Sequence, residues 1–310
     1  MTRHVTVVPA STKAGRETIR RLLVDDSKPT VRGIYRDPAK APTEFTSHPN
    51  FEVATGDVGT PGKLDFAGTD AVFYIPPPTY DDGTPQAVWA ERSAGNVKNA
   101  LQGSPNVKRL LLFSAIGANH DKGVGILCLN HISEKALEHA VPDVRVIRPG
   151  YFYTELLSQL QWPEGETPVL NTWISPAEHQ IPMVSLEDIA EACAHNLLSE
   201  GANPKSPYIF NMFGPRFYSA LDLKAAIEEA TGHQVELQTA DRDELPGYFA
   251  GLGIPAQHAQ ELVDMLLAGL PGGTIVQDFN YGENTVTGQV ELVDGVRDFL
   301  KKRTGASWAQ

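Results

Sequence analysis

Residues 4–15 read His-Val-Thr-Val-Val-Pro-Ala-Ser-Thr-Lys-Ala-Gly, and this stretch decides the fold. Its first five residues predict a short buried strand. The apolar side chains of Ile19, Leu22 and Leu23 then mark one face of the helix that follows. A strand, a tight turn and a helix so close to the amino terminus are typical of the phosphate-binding turn of a dinucleotide-binding domain.

The turn departs from the usual phosphate loop in its glycines. The spacing of short-chain dehydrogenases would put glycine at positions 9, 12 and 15, and the second glycine lets backbone amides approach a pyrophosphate. Only Gly15 is present, with Thr12 at the second position. The amides at the helix start still form an anion site, so we expect retained binding, with a turn that binds nothing as the alternative. The expected contacts of this turn are Ala10, Ser11, Thr12, Lys13 and Gly15.

The bulk composition indicates an ordinary globular protein. The 310 residues are 41% hydrophobic and 21% charged, and the net charge of −12 argues against nucleic-acid binding, which needs basic surface. The first apolar run ends at Pro9 and none is long enough to span a membrane, so we predict a cytoplasmic protein without a membrane helix. Cys128 and Cys193 lack the spacing of a metal or redox pair and the nine histidines are scattered, so we predict no metal site.

Strand-like and helix-like segments alternate through the first half. Further strands are predicted at residues 31–35, 51–55, 71–75, 109–114 and 144–147, and helices at residues 86–101 and 129–139. Several of these strands are apolar throughout, as expected when helices cover both faces of a parallel sheet. The pattern predicts an α/β fold with a Rossmann-type doubly wound parallel sheet.

The second half of the chain is more irregular. Ser185 opens a helix as its N-cap, with Asp188 in the position of a capping-box acid. Further helices are predicted at residues 221–231, 256–269 and 294–301, and strands at residues 208–212 and 234–237. We expect an NAD(P)-binding Rossmann domain over residues 1–155. A smaller, mainly substrate-binding C-terminal lobe, interleaved with the core, would span residues 156–310.

A series of short motifs in a fixed order resembles the NmrA-like branch of the atypical short-chain dehydrogenases. The motifs include residues 31–38 (VRGIYRDP), 114–117 (SAIG), 131–135 (HISEK), 148–152 (RPGYF) and 185–190 (SLEDIA). They lie within about residues 4–240. Residues 296–308 are also similar, more loosely, to fungal ergot-alkaloid reductases, which reduce an iminium with NADPH. The resemblance implies a Rossmann fold and an NADP(H) cofactor.

Several further positions are expected to contact the cofactor. Arg36 ends the second strand, where an arginine accommodates a 2′-phosphate and favours NADP(H) over NAD(H), although Asp37 follows it. By resemblance Asp57 would lie near the adenine, with a capping role as the alternative. The remaining expected contacts are Pro76, Ser114, Lys135 and Pro149.

The dehydrogenase Tyr-x-x-x-Lys pair reads His131-x-x-x-Lys135 in this chain. Four residues apart on one helix, the two side chains share a face. By resemblance Lys135 would hold the nicotinamide ribose, and His131 would act as a general acid because imidazole transfers protons near neutral pH. Glu134 and Glu138 flank Lys135 and leave a surface ion pair as the alternative. Ser114 ends its strand at the edge where ligands bind, or simply caps it.

Aromatic residues gather near the expected substrate edge, namely Tyr74, Tyr80, Trp89, Tyr151, Phe152, Tyr153 and Trp162. Because side chains alternate, Phe152 would pack in the core while Tyr151 or Tyr153 lines the pocket. With an acid such as Glu155 or Asp81, an aromatic pocket would suit a flat, cationic, heteroaromatic substrate.

These features favour an NADP(H)-dependent reductase that acts on an imine, iminium or conjugated carbonyl in secondary, alkaloid-type metabolism. Its catalytic set would be Lys135, His131, Ser114, Tyr151 and Glu155. An iminium carries its own charge and needs no proton donor, which would explain the missing tyrosine. One alternative is a non-redox cyclase or isomerase, such as a Pictet–Spengler type iminium cyclisation. The other is an NADP(H)-sensing regulator without turnover. The sequence leaves the oligomeric state open.

Overall fold

The computed structural model describes residues 3–80, 83–203, 205–251 and 253–305. In chain order its strands are β1 (His4–Val8), β2 (Thr30–Tyr35), β3 (Phe51–Thr55), β4 (Ala71–Tyr74), β5 (Arg109–Phe113), β6 (Asp143–Pro149), β7 (Tyr151–Phe152), β8 (Leu160–Gln161), β9 (Val169–Thr172), β10 (Met183–Val184), β11 (Tyr208–Phe213), β12 (Glu236–Thr239) and β13 (Thr285–Thr287). The α-helices are α1 (Lys13–Leu23), α2 (Thr43–Thr46), α3 (Gln86–Gln102), α4 (Cys128–Leu137), α5 (Tyr153–Leu157), α6 (Leu186–Leu198), α7 (Ala220–Thr231), α8 (Leu245–Gly251), α9 (Ala256–Ala268) and α10 (Leu292–Gly305).

The central sheet has the strand order β13-β11-β6-β5-β4-β1-β2-β3. Every neighbouring pair in it is parallel. The order reverses between β1 and β4, so the connections after these two strands leave in opposite directions. In open parallel sheets a ligand crevice forms outside the carboxyl ends of the strands at this switch point.

Helices cover both faces of the sheet, and the side chains of each strand alternate between them. Val7 and Phe73 pack in the core that also holds Ile19 of α1 and Ile189 of α6. Val72 packs on the opposite face, in the core that holds residues of α3 and α4. This alternation explains why the strands are apolar throughout. The predicted doubly wound α/β fold is confirmed.

The second half of the chain contributes to two layers. β11 and β13 extend the central sheet, while β8, β9 and β12 form a separate three-stranded sheet. The helices α5, α7 and α10 share a second apolar core with β9. A short parallel pair, β7 and β10, lies beyond the end of β6. The division into two domains at residue 155 stays a prediction.

Ser185 caps α6 as the sequence predicts, since its hydroxyl accepts a hydrogen bond from the Asp188 amide at 2.8 Å. The Asp188 carboxylate does not complete the predicted capping box. It accepts hydrogen bonds from the amides of Gln289 at 2.9 Å and Val290 at 3.1 Å, and so fixes the segment after β13 to the start of α6.

A buried charge cluster closes the amino edge of the sheet. The Arg109 Nε donates to Asp143 at 2.7 Å and its Nη1 donates to the Ser199 carbonyl oxygen at 2.7 Å, beyond the end of α6. Arg145 donates to the same carboxylate at 3.2 Å. The two guanidinium groups therefore join β5 and β6 to the end of α6, on the edge opposite the crevice.

Candidate active site

The predicted phosphate turn connects β1 to α1. Thr12 caps the helix: its Oγ1 accepts a hydrogen bond from the Gly15 amide at 3.0 Å and donates one to the Pro9 carbonyl oxygen at 3.2 Å. The first turn of α1 carries no acidic side chain. Amide N–H groups at such a helix start attract anions. The turn therefore keeps an anion site, with a threonine hydroxyl where a glycine is usual.

Gly15 leaves no room for a side chain. An ideal Cβ there would lie 2.7 Å from Thr12 Oγ1, 3.1 Å from the Pro9 carbonyl oxygen and 3.2 Å from Ile75 Cδ1. This glycine thus allows the close approach of helix and strand that dinucleotide folds require. Ala10 is buried, and its amide donates to the Ile34 carbonyl oxygen at 2.9 Å.

Two unpaired cations follow the end of β2. The side chains of Arg36 and Lys40 make no hydrogen bond or ion pair with any described residue, and both are exposed. Asp37 lies between them, but its carboxylate accepts a hydrogen bond from the Ala39 amide at 3.1 Å and caps the short 3₁₀ helix Pro38–Lys40. The acid that left the cofactor preference open in the sequence therefore shapes the backbone, and it also lines the cleft beside Arg36.

A cleft of about 520 Å³ joins these features. Ser11, Thr12, Arg36 and Lys40 line it, together with Asp57. The carboxylate of Asp57 accepts hydrogen bonds from the Gly59 amide at 3.0 Å and the Thr60 hydroxyl at 2.7 Å. Asp57 thus lies in the cleft wall and also caps its own turn, and its contact with the adenine stays a prediction.

Trp89 and the prolines after β4 close the other side of the cleft. The Trp89 indole donates to the Pro77 carbonyl oxygen at 2.7 Å. Its ring lies so close to Gly59 that an ideal Cβ there would be 2.5 Å from it. Pro77 and Pro78 line the cleft, while the predicted contact Pro76 is buried beside them. An anion site, two unpaired cations and a cleft thus occupy one edge of the sheet, which fits a phosphorylated dinucleotide.

The other strand ends hold a buried hydrogen-bond network. Ser114 follows β5, and its hydroxyl donates to Glu134, which also accepts from the Arg148 Nε at 2.9 Å. The Ser114 amide donates to the Ile147 carbonyl oxygen at 2.8 Å, so β5 and β6 end side by side. Pro149 is buried at the end of β6. The hydroxyl of Ser114 therefore orients the Glu134–Arg148 pair.

His131 and Lys135 lie together, but away from the cleft. Both line a cavity of about 170 Å³ with Glu134, Arg148 and Pro207 that shares no lining residue with the cleft. The crossover helix α4 leaves the carboxyl edge of the sheet and ends at its amino edge, so its later residues move away from the crevice. The His131 Nδ1 is 2.9 Å from the Ala118 carbonyl oxygen. The Lys135 side chain is 68% exposed and lies 3.9 Å from Glu138, the ion pair that the sequence left open.

Lys13 and Glu155, which the sequence placed at the phosphate turn and in the substrate pocket, pair with each other. Their Nζ and Oε1 atoms are 2.6 Å apart, and more than half of each side chain is exposed. An ion pair this exposed contributes about 0–1 kcal/mol. It links α1 to α5 across the mouth of the carboxyl edge.

Tyr151 belongs to an aromatic cluster beyond the ends of β6 and β11. Its ring centroid is 5.4 Å from that of Trp173 and 6.3 Å from that of Phe279. Phe217 stacks on Tyr281 at 4.8 Å and contacts Phe279 at 6.4 Å. Apart from Tyr151, sequence reasoning missed this set, because its members come from separate loops. The signal available was that Phe217 follows a predicted strand end by a few residues.

The remaining aromatic predictions have mixed outcomes. Tyr74 is fully buried beneath α3, and Phe152 packs on Phe113 at 6.2 Å as expected for a core residue. Tyr153 is buried in the second core, and Trp162 lies 5.2 Å from the His233 ring. Asp81, the other predicted acid, lies outside the described residues.

The sequence profile of the NAD(P)H-binding family matches residues 10–199, well over half of the chain. The chain belongs to the NAD(P)H-binding family. Its cofactor is accordingly a nicotinamide dinucleotide, as predicted, and the anion site at α1 and the adjoining cleft are where the described residues fit it. No curated protein sequence matches the chain.

Solved structures of other proteins share this fold at low sequence identity. The Escherichia coli NADPH-dependent quinone oxidoreductase in complex with NADPH has a TM-score of 0.73 at 18% identity, over 96% of this chain and 99% of that one. The Citrobacter sp. triphenylmethane reductase with NADP(H) has a TM-score of 0.70 at 17% identity, with the same coverage. NmrA, a negative transcriptional regulator, has a TM-score of 0.71 at 15% identity, over 100% of this chain and 99% of that one. The predicted resemblance to NmrA is confirmed at the level of the fold.

Two further observations concern only the described residues of this NAD(P)H-binding protein. No helix among them is long and apolar enough to cross a membrane. No three histidine, cysteine, aspartate or glutamate side chains in the same ranges are grouped to hold a metal ion. Cys193 is buried and Cys128 is half-buried, and both are free thiols.

Proposed function

We propose that this NAD(P)H-binding protein is an NADP(H)-dependent reductase that acts on an imine, an iminium or a conjugated carbonyl, in alkaloid-type secondary metabolism. The observation that carries the proposal is the pair of unpaired cations, Arg36 and Lys40, in the wall of the cleft. A 2′-phosphate would neutralise them, and an unphosphorylated ribose would not. The aromatic cluster around Tyr151 supports a flat substrate at the same edge of the sheet.

In this proposal each group at the carboxyl edge of the sheet has a separate role in binding the cofactor or the substrate. The amides at the start of α1 and the Thr12 turn bind the pyrophosphate. Arg36 and Lys40 hold the 2′-phosphate, and Trp89 closes the cleft. The bound nicotinamide supplies a hydride. The aromatic cluster excludes water from the substrate and holds its plane.

Calorimetric titration of the nucleotide-free protein with NADPH, NADP⁺ and NADH tests the cofactor half of the proposal. We expect Arg36→Ala to weaken NADPH binding about 10- to 100-fold and to leave NADH binding unchanged, since a hydrogen bond to a charged group contributes about 1.5–3 kcal/mol. Arg32→Ala is the matched control. It lies on the same strand, but its guanidinium donates to Glu52 at 3.2 Å and to the Ala67 carbonyl oxygen at 2.9 Å.

Equal losses for NADPH and NADH would refute the role of Arg36. No binding at millimolar nucleotide would overturn the reductase and leave the non-redox cyclase as the better hypothesis. Turnover is then measured as NADPH oxidation in the presence of imines, iminium ions and conjugated carbonyls.

A regulator that binds the dinucleotide without turnover is the second candidate. The observation that favours it is that His131 and Lys135 line a separate cavity, so the dehydrogenase pair is not assembled in the cleft. Tight NADPH binding without NADPH consumption by any substrate class would support this candidate over the reductase.

A further inference from the structure

The hydroxyl of Tyr151 is buried and has no hydrogen-bond partner in the described part of the chain. Other tyrosines of the second half are partnered: the Tyr218 hydroxyl donates to Glu291 at 2.9 Å, and the Tyr281 hydroxyl donates to the Gly214 carbonyl oxygen at 2.8 Å. Buried polar groups are nearly always hydrogen-bonded, so an isolated donor indicates a missing partner.

The position of Tyr151 points to a ligand as that partner. The residue follows Pro149 and Gly150 at the carboxyl end of β6, where parallel sheets bind their ligands. Its ring packs against those of Trp173 and Phe279. Among the described residues Tyr35 also has a buried hydroxyl without a partner, but its ring belongs to the core on one face of the sheet.

The hydroxyl is covered by a segment that we call the strap, residues 256–280. An ideal Cβ on Gly269 of the strap would lie 2.0 Å from the Tyr151 oxygen, so only a glycine fits over it. The strap also packs closely against the loop after β5, again at a glycine. Gly125 of that loop has φ +53°, and a Cβ there would lie 2.0 Å from the Glu261 carbonyl oxygen. For a substrate to reach the hydroxyl, the strap would have to move aside.

We propose that the Tyr151 hydroxyl donates a hydrogen bond to the carbonyl oxygen of a flat, neutral conjugated carbonyl substrate, and thereby favours this class over an iminium. The proposal rests on the reductase activity proposed above and narrows its substrate. The nitrogen of an iminium has no lone pair to accept this hydrogen bond.

The charges around the aromatic cluster support a neutral substrate. Asp278, next to Phe279 in the chain, is occupied by His120 at 2.7 Å and by Asn119 at 3.3 Å. Glu155 is occupied by Lys13. These two carboxylates are therefore already paired and do not offer a free partner for a buried cation, and burying an unpaired charge is costly. Burial also raises the pKa of Tyr151 well above its usual range, so the hydroxyl stays protonated and remains a donor.

The proposed reduction needs a hydride, a stabilised oxyanion and a proton. Bound NADPH would supply a hydride to the conjugated carbonyl and become NADP⁺, and the electron pair of the broken C=C or C=O π bond would move to the oxygen. The Tyr151 hydroxyl stabilises this oxyanion by its hydrogen bond. A proton taken from water as the product leaves the aromatic cluster would complete the reduced product. Tyr151 thus positions the substrate and keeps its own proton.

Tyr151→Phe tests the proposal, with Tyr218→Phe as the matched control. The probes are a naphthoquinone, which is a neutral conjugated carbonyl, and an N-methyl dihydroisoquinolinium ion of similar size. In Tyr151→Phe we expect the kcat/KM for the naphthoquinone to fall about 10- to 100-fold, and that for the iminium to stay within about twofold. NADPH affinity stays unchanged. Tyr218→Phe leaves the ratio of the two kcat/KM values unchanged.

Stability provides a readout that separates this role from a structural one. Removing an unpartnered hydroxyl should leave the midpoint of urea unfolding of Tyr151→Phe equal to or above that of the wild type. Tyr218→Phe loses a partnered hydroxyl and should unfold at lower urea. An equal loss of activity toward both probes, or no loss toward the naphthoquinone, overturns the proposal.

A failure of the Tyr151 contact can be distinguished from a failure of the proposed reductase activity. Where the wild type binds NADPH but reduces neither probe, naphthoquinone binding to the NADP⁺ complex is measured by titration. Weaker binding to Tyr151→Phe than to the wild type then supports the Tyr151 contact while the reductase proposal fails. Equal binding by both proteins, or no binding, overturns the contact as well.

Discussion

Gly15→Ala is the sharpest test of the phosphate turn, because the structure shows what the added methyl group meets. The new Cβ would lie 2.7 Å from Thr12 Oγ1, closer than real Cβ contacts, and 3.1 Å from the Pro9 carbonyl oxygen. Thr12 must move, which removes the helix cap worth about 1 kcal/mol. Overpacking a tight site costs a further ~1–3 kcal/mol. The better helix propensity of alanine returns at most about 1 kcal/mol.

The expected net loss for Gly15→Ala is therefore about 1–3 kcal/mol in the free energy of unfolding, measured by urea denaturation. Because the same methyl displaces the turn that we propose to bind phosphate, we also expect NADPH affinity to fall at least about tenfold. Gly95→Ala is the control: Gly95 lies inside α3, and a Cβ there meets no atom within 4 Å. That variant should gain about 0.4–1 kcal/mol and keep NADPH affinity. If Gly15→Ala matches the wild type in both measurements, the reasoning about close helix–strand packing is wrong.

Two other substitutions test charged residues outside the cleft, Asp143 and Lys135. Burial alone would raise the pKa of Asp143, but hydrogen bonds from Arg145 and Arg109 outweigh it and hold this pKa below its ordinary value. The carboxylate therefore stabilises the fold above pH of about 4, and its contribution is lost as the pH falls through the lowered pKa of the folded state. Asp143→Asn should lower the free energy of unfolding by about 3–5 kcal/mol at neutral pH. It should also weaken the dependence of this free energy on pH in the acid range, and an unchanged dependence would contradict the reasoning. Lys135→Ala should stay within about 0.5 kcal/mol of the wild type in stability and within about twofold in NADPH-dependent turnover, since Lys135 is 68% exposed. A large loss of turnover would support the catalytic lysine predicted from the sequence.

Most of the central sheet could be predicted because its signals are local. β3 was predicted with the bounds that the structure gives, and β2 and α3 with bounds within one residue of it. The N-cap at Ser185 and the left-handed Gly232 after α7 are read from a few neighbouring residues. A run of five apolar residues or a single helix cap can be recognised without knowing the rest of the chain.

Other features could not be predicted because they depend on distant contacts. β13 has only three residues and extends the sheet through pairing with β11, which no local pattern indicates. Helical spacing correctly placed His131 and Lys135 on one face, but it does not say which cavity that face borders. The same holds for Lys13 and Glu155, which are 142 residues apart in sequence and meet only in the fold.

The phosphate turn shows why a lost glycine need not mean a lost site. The second glycine is usual because a Cβ there would block the approach of phosphate to backbone amides. In this chain the Thr12 side chain is turned back to the Gly15 amide and the Pro9 carbonyl oxygen, so its bulk is used as a helix cap. That arrangement depends on Gly15, whose missing Cβ provides the space that the Thr12 hydroxyl occupies. We therefore expect the two residues to act as one unit, with threonine tolerated at the second position only while glycine holds the third.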